Sequence, residues 1–268
     1  MELLLLILSG ALVGFIVGLT GVGGGSLMTP ILLLFNYPAA IAIGTDLLYA
    51  AITKASGMYF HHRLGHVQWR TMGLLAAGSI PTSILINVFV IDKTLIEDPS
   101  FTQFLTSFLG VMLILTAAVM IFGQHIQHRL NSDENVKSRA YYQALHKYRP
   151  ALVLLLGIIL GVCVTLSSVG AGAFGAAILF ILFPSRPTAH IIGTDIAHAV
   201  PLTAVAGLGY LFNGLVDYQL LLALIVGSLP GIYLGSRLAA LMPEKALRLI
   251  LIVALLGLGL KFSFSGVH

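Results

Sequence analysis

Two aspartates stand at the same place in a repeated tripeptide, Asp46 in Gly44-Thr45-Asp46 and Asp195 in Gly193-Thr194-Asp195, each inside an otherwise apolar stretch. A carboxylate at such a place can carry a proton, because burial raises a carboxyl pKa, or serve as a fixed acceptor for backbone N–H groups. A purely structural role, hydrogen bonds that lock the tripeptide to a neighbouring turn, is compatible with both. His198 follows Asp195 by one helical turn on the same face, so an Asp–His pair is geometrically allowed; the corresponding residue after Asp46 is Tyr49. Lys54 lies two turns beyond Asp46. Its stem is expected to snorkel toward the nearer membrane surface, with attraction of an anionic substrate as the alternative.

Two glycine clusters supply a second kind of chemistry. The first reads LTGVGGGSLMTP, with Gly21, Gly23, Gly24, Gly25 and Ser26; the second reads LSSVGAGAFGAAI, with Ser167, Ser168, Gly170 and Gly172. Glycine lets backbone turn tightly and approach a ligand closely. A short helix starting after each cluster would aim unpaired N–H groups and the positive end of its dipole at the protein centre, which makes an anion site without basic side chains. Close helix packing of the small-xxx-small kind is the competing explanation. Thr20, Ser26, Ser167 and Ser168 could add hydroxyl donors, or could bond their own helix backbone.

The elements that carry these groups are membrane helices. Hydrophobic residues make up 58% of the 268 and charged residues 9%, against roughly a quarter charged in a soluble domain. Stretches near 39–60, 70–91, 101–123, 188–212, 219–241 and 244–264 meet the roughly 20 residues a spanning helix needs. Two more, 2–36 and 150–183, are interrupted by the glycine clusters. The chain also resembles itself: with a shift of 149 residues Gly21, Gly23, Pro38, Gly44-Thr45-Asp46, Gly65, Gly78, Ser79 and Pro81 fall on Gly170, Gly172, Pro187, Gly193-Thr194-Asp195, Gly214, Gly227, Ser228 and Pro230.

Charge sets the expected topology. If 2–36 and 150–183 each fold as a hairpin that enters and leaves on one side, then Arg63, Arg70, Arg129, Lys137, Arg139, Lys147, Arg149, Arg186, Arg237, Lys245 and Arg248 share a side, leaving Lys93 and Lys261 opposite. The basic side is cytoplasmic by the positive-inside rule, and both termini face outward. The expected fold is therefore an all-α integral membrane protein of about eight membrane segments in two inverted repeats. Each repeat is a glycine-tipped re-entrant helix hairpin plus three spanning helices. The halves are 1–123 and 150–268, joined by a charged cytoplasmic linker, 124–149, which is expected to be partly helical.

Other features are plainer. Glu2 stands where a signal peptide would have a basic region, so the N-terminal stretch is read as structure. The single cysteine, Cys163, allows no intrachain disulfide or multi-cysteine metal site. His61, His62 and His66 beside Arg63 read as a solvated interfacial cluster rather than a metal site, and the basic excess belongs to membrane orientation rather than to nucleic acid.

The segments GLTGVGGGSLMTPILL, GTD, HHRLGHVQWR, GSIP and their second-half equivalents GTD, FNGLVDYQ and GSLPG resemble the sulfite exporter TauE/SafE family of membrane permeases, over nearly the whole chain. The resemblance implies about eight membrane segments, no cofactor, and transport of small sulfur-containing anions such as sulfite or sulfoacetate, often export, linked to the proton gradient. Carried over by position, it implies Gly21, Gly23, Gly24, Gly25, Thr45, Gly170, Gly172 and Thr194 as site elements. The second tip, GAGAFG, departs from the fuller glycine cluster of the family, which puts equal contributions from the two tips in doubt.

The sequence thus reads as a non-enzymatic secondary transporter, an exporter, in a bacterial inner membrane. A small sulfur-containing anion would bind between the tips, with Asp46, Asp195 and His198 in proton coupling. Protons and the lipid bilayer are the other partners, and a homodimer is compatible with the chain. Two alternatives stand beside this reading. His190, Asp195 and His198 have a spacing that would suit a nickel or cobalt permease, although the first half offers only Ile41, Asp46 and Tyr49 there. An intramembrane aspartic protease needs two facing carboxylates, which Asp46 and Asp195 match in number only.

Overall fold

The computed structural model describes residues 2–20, 27–91, 98–132, 139–183, 186–239 and 244–264. The described residues form ten α-helices and no strand. In order they are α1 (Glu2–Thr20), α2 (Met28–Leu34), α3 (Ala39–Arg63), α4 (Trp69–Phe89), α5 (Pro99–Ser132), α6 (Arg139–Ser167), α7 (Ala173–Leu182), α8 (Thr188–Phe212), α9 (Tyr218–Ala239) and α10 (Glu244–Phe264).

Among the described residues, Trp69–Phe89, Pro99–Phe122, Tyr148–Ser167, Thr188–Phe212 and Tyr218–Gly235 are long and apolar enough to cross a membrane. Their outer faces are apolar as lipid requires: Phe89, Phe122, Phe212 and Leu222 all stand exposed. The chain is a helical, multi-pass membrane protein. Helix α3 is less apolar because it carries Asp46 and Lys54 in its interior.

The glycine-interrupted stretches fold into helix pairs with unequal legs. Helix α2 has 7 residues and α7 has 10, both short of the roughly 20 of a full crossing. By contrast Tyr148–Ser167, the leg before the second tip, is of spanning length. The expected linker is largely absorbed into helices, since α5 continues to Ser132 and α6 begins at Arg139. Residues 133–138 lie outside the described residues.

Glycines decide how the helices pair. A Cβ on Gly10 would collide with the carbonyl of Leu224, and one on Gly14 with that of Ser228. One on Gly157 would strike the carbonyl of Leu75, and one on Gly161 that of Ser79. Backbones this close are the known benefit of small residues in membrane helices, where apolar side chains gain little over lipid. In both pairs the register advances together, so α1 runs parallel to α9 and α4 parallel to α6. The contacts correspond: Leu75 and Ser79 are Leu224 and Ser228 less the 149-residue shift.

Two other pairs run antiparallel. Gly44 abuts Tyr210 and Leu215, whereas Gly193 abuts His61 and His66, so α3 crosses α8 head to tail. In α5 and α10, a Cβ on Gly110 would meet the Gly259 carbonyl and a Cβ on Gly259 the Gly110 carbonyl. Again the partners differ by 149 residues. The largest buried cluster gathers Ile43 and Leu47 of α3, Leu75 of α4, Leu160 and Val164 of α6, and Leu202, Ala206 and Tyr210 of α8. It fixes the rotation of α3 and α8, and hence the aim of both aspartates.

Candidate functional site

Each GTD aspartate meets the beginning of the short helix in its own half. Asp46 Oδ2 accepts the backbone N–H of Thr29 at 3.2 Å and the Thr29 hydroxyl at 2.5 Å, at the start of α2. Asp195 faces the first turn of α7: a Cβ on Gly175 would collide with its Oδ1, and the Gly172 backbone lies beside it. A carboxylate at a helix N-terminus satisfies donors that have no intrahelical partner and opposes the positive end of the dipole. The Asp46 and Asp195 side chains are 0% and 1% exposed. Among the described residues one oxygen of each, Oδ1, has no hydrogen-bond partner.

The second tip is built for this approach. Ser168 adopts φ 58°, Gly170 φ 128° and Gly172 φ 121°. The last two values are open to glycine at little cost and strain any other residue. Ser167 turns its hydroxyl back to the Cys163 carbonyl at 2.6 Å, bonding its own helix. The Ser168 hydroxyl lies near the Asp46 carboxylate without closing a hydrogen bond. The second tip therefore reaches the aspartate of the first half. Gly21, Gly23, Gly24, Gly25 and Ser26 lie outside the described residues, as does the side chain of Thr20.

Lys54 does not snorkel. It is 7% exposed, and its Nζ donates to the carbonyl oxygen of Ala171, between the two tip glycines, at 3.4 Å. Its positive charge acts on both Asp195 and Asp46. The stem is held inward where the ammonium finds the Ala171 carbonyl, within the electrostatic reach of the two GTD aspartates. The 149-residue equivalent, Thr203, bonds its own helix at the Ala199 carbonyl instead.

His198 and Asp195 share a face, but the imidazole is taken elsewhere: Nε2 hydrogen-bonds the Ser79 hydroxyl on α4 at 2.8 Å, and among the described residues Nδ1 has no partner. In the equivalent place Tyr49 faces Ser228 on α9. Neither serine stood out as a site residue in the sequence, although both lie in the repeated Gly-Ser-x-Pro segment, which was the available signal. Thr29 gave none, since its equivalent is Ile178.

Thr45 and Thr194 act between the halves. Thr45 Oγ1 accepts the Asp217 N–H at 3.2 Å, and Thr194 Oγ1 accepts the Gln68 N–H at 3.0 Å while donating to the His190 carbonyl at 2.6 Å. The GTD threonine of each half thus holds the loop before α9 or α4 of the other. Below this, His61, His66 and His190 form a row with ring centroids 5.5 and 5.4 Å apart. His61 lies beyond the apolar run of α3, where burial and then the neighbouring His66 hold its pKa below the ordinary 6.5. His190 therefore sits with His66, and His198 with Ser79, so the set His190, Asp195, His198 weighed for nickel or cobalt is not brought together. Among the described residues no group of three His, Cys, Asp or Glu could hold a metal ion.

The comparisons agree with the membrane architecture. The model of the family described as sulfite exporter TauE/SafE matches residues 6–262. The chain is 36% identical over 257 residues to the probable membrane transporter protein YjnA of Bacillus subtilis, covering 96% of this chain and 98% of that protein. It is 31% identical over 262 residues to the probable membrane transporter protein YdhB of the same organism, covering 97% and 100%. With the probable membrane transporter protein MJ0441 of Methanocaldococcus jannaschii it shares 25% over 277 residues, 95% and 93% of the two chains. No solved structure matches. From its matched span and these relatives, the chain belongs to the sulfite exporter TauE/SafE family.

Proposed function

We propose that the protein is a proton-coupled secondary transporter that exports a small sulfur-containing anion, such as sulfite or an organosulfonate, across a bacterial inner membrane by alternating access. The observation that carries this reading is Lys54. Among the described residues it is the one buried Lys or Arg, and it touches the backbone of the second tip while acting on both GTD aspartates. A buried cation beside irregular backbone and two carboxylates is the arrangement of a substrate and proton site in a membrane.

The anion would bind beside Lys54, against Ser168, Gly170 and Gly172 of the second tip and Gly21, Gly23, Gly24, Gly25 and Ser26 of the first. Asp46 and Asp195 would take up and release the protons, with His198 tuned by Ser79. Thr45 and Thr194 would keep the loops of the opposite half in step with the site, and Ser167 would hold the tip's entry helix. The antiparallel crossings of α3 with α8 and of α5 with α10, whose partners correspond at 149 residues, support two inverted halves, 1–123 and 150–268, joined by 124–149. In that arrangement the basic loops are cytoplasmic and both termini lie outside.

Flux into proteoliposomes of sulfite, sulfate, sulfoacetate, taurine and Ni²⁺, with and without an imposed pH gradient, tests the reading. Anion flux accelerated by the gradient is expected. Metal flux without anion flux would end the anion hypothesis, and anion flux indifferent to pH would remove its proton part.

A further inference from the structure

The charges buried at the centre do not balance. Among the described residues, the formally charged side chains that are buried are Asp46, Asp195 and Lys54, two negative and one positive. His198, also buried, uses Nε2 for Ser79, and the Lys54 ammonium opposes a second cation there. Among the described residues, the other groups near the carboxylates are neutral: Thr29 on α2, Ser168 and Gly172 of the second tip and Tyr49 on α3. An unpaired charge held away from water is strongly unfavourable, so the empty site is closed electrically by one proton on the aspartate pair.

The helix starts change what an anion meets. The N–H and hydroxyl of Thr29 already serve Asp46, and Gly172 already faces Asp195, so these groups at the two helix starts are turned to the protein's own carboxylates rather than to a ligand. Asp46 Oδ1 and Asp195 Oδ1, unpartnered among the described residues, are acceptors that repel an anion while ionised. Protonation turns a carboxylate into an O–H donor, and the oxygen free to receive that proton is the unpartnered one.

Resting on the transporter reading above, we infer that the site carries singly charged anions, each together with one proton, so that the transport cycle is electroneutral and doubly charged anions are excluded. With Lys54 positive, both aspartates protonated and one monoanion bound, the loaded site is neutral. A dianion leaves a net negative charge even when both aspartates are protonated. Sulfoacetate, a dianion at neutral pH, and sulfite, which is a mixture of mono- and dianion there, would enter in their singly charged, protonated forms.

The test uses the full-length protein in proteoliposomes with three permanently monovalent probes, methanesulfonate, isethionate and ethanesulfonate, and sulfate as the dianion. Uptake is measured beside internal pH with the membrane potential clamped by potassium and valinomycin. One proton per anion is expected, with rates unchanged by the clamp and sulfate flux at least tenfold lower. Binding of methanesulfonate to purified protein should weaken tenfold per pH unit as pH rises through the uptake range, and should lose this dependence in Asp46→Asn/Asp195→Asn. Monoanion flux that follows the potential, or sulfate carried as fast as methanesulfonate, overturns the electroneutral inference and leaves the transporter reading standing. Absence of flux for every anion, sulfite included, overturns the transporter reading and the inference with it.

Discussion

Asp46 takes both the backbone N–H and the hydroxyl of Thr29 on a single carboxylate oxygen, and among the described residues its other oxygen has no partner. The first half's aspartate is therefore anchored by a side chain, whereas Asp195 in the second half lies against the backbone at Gly172 and Gly175. The difference follows from one position, threonine at 29 and isoleucine at 178.

Thr29→Val removes a hydroxyl that is buried against a carboxylate. A hydrogen bond to a charged group contributes about 1.5–3 kcal/mol, so thermal unfolding in detergent should show a loss of that order, recovered largely by Thr29→Ser. A valine variant as stable as the parent would mean that the backbone N–H alone holds Asp46.

The parallel pairs predict matched sensitivity. Gly14→Leu and Gly161→Leu each force a side chain into the carbonyl of an equivalent serine, Ser228 or Ser79. Overpacking costs about 1–3 kcal/mol even where side chains can yield. Against backbone it should abolish a monodisperse peak in size-exclusion chromatography for both variants. Gly73→Leu, on α4 with open space around it, should elute as the parent does.

Thr45→Val and Thr194→Val each withdraw the acceptor of a cross-half N–H. Leaving such a group unsatisfied costs about 1–3 kcal/mol. Stability should fall in both. Thr194→Val should fall less than this range implies if water reaches Gln68, which hydrogen exchange at residues 66–70 would register as faster exchange.

His61 gives a pH dependence whose sign is fixed by its depressed pKa, caused by burial and then by His66. The unfolded chain, with an imidazole near 6.5, binds a proton more readily than the fold does, so stability rises with pH through this range. The contribution is present above about pH 6.5 and is lost as pH falls. The melting temperature should drop on acidification, and His61→Gln should flatten the drop. An unchanged slope in the variant would place the acid sensitivity elsewhere.

Lys54→Met removes the buried cation while keeping the length of the stem. Anion uptake should fall more than tenfold, and Lys54→Arg should restore part of it. Uptake that survives in the methionine variant would move the counter-charge for the anion to another group.

The 149-residue shift was legible in the sequence because glycine, proline and the GTD tripeptide are few in kind and fixed in spacing, and it located the tips, both aspartates and the serines of Gly-Ser-x-Pro. Helix faces were harder to read. In lipid both faces of a helix are apolar, so periodicity says little about which side turns inward. His198 was legible as one turn from Asp195, but its partner Ser79 comes from another helix, 119 residues away.

The sequence by itself determined a membrane protein of apolar helices, the duplication, and two carboxylates inside apolar stretches, since composition, spacing and the high cost of charge in lipid fix these without knowledge of packing. Only the tertiary structure decided that Lys54 turns inward to Ala171, that the GTD threonines clasp loops of the opposite half, and that each aspartate meets the helix start of its own tip. Those choices depend on helix rotation and on contacts between residues far apart in the chain, set by where glycine lets two backbones meet.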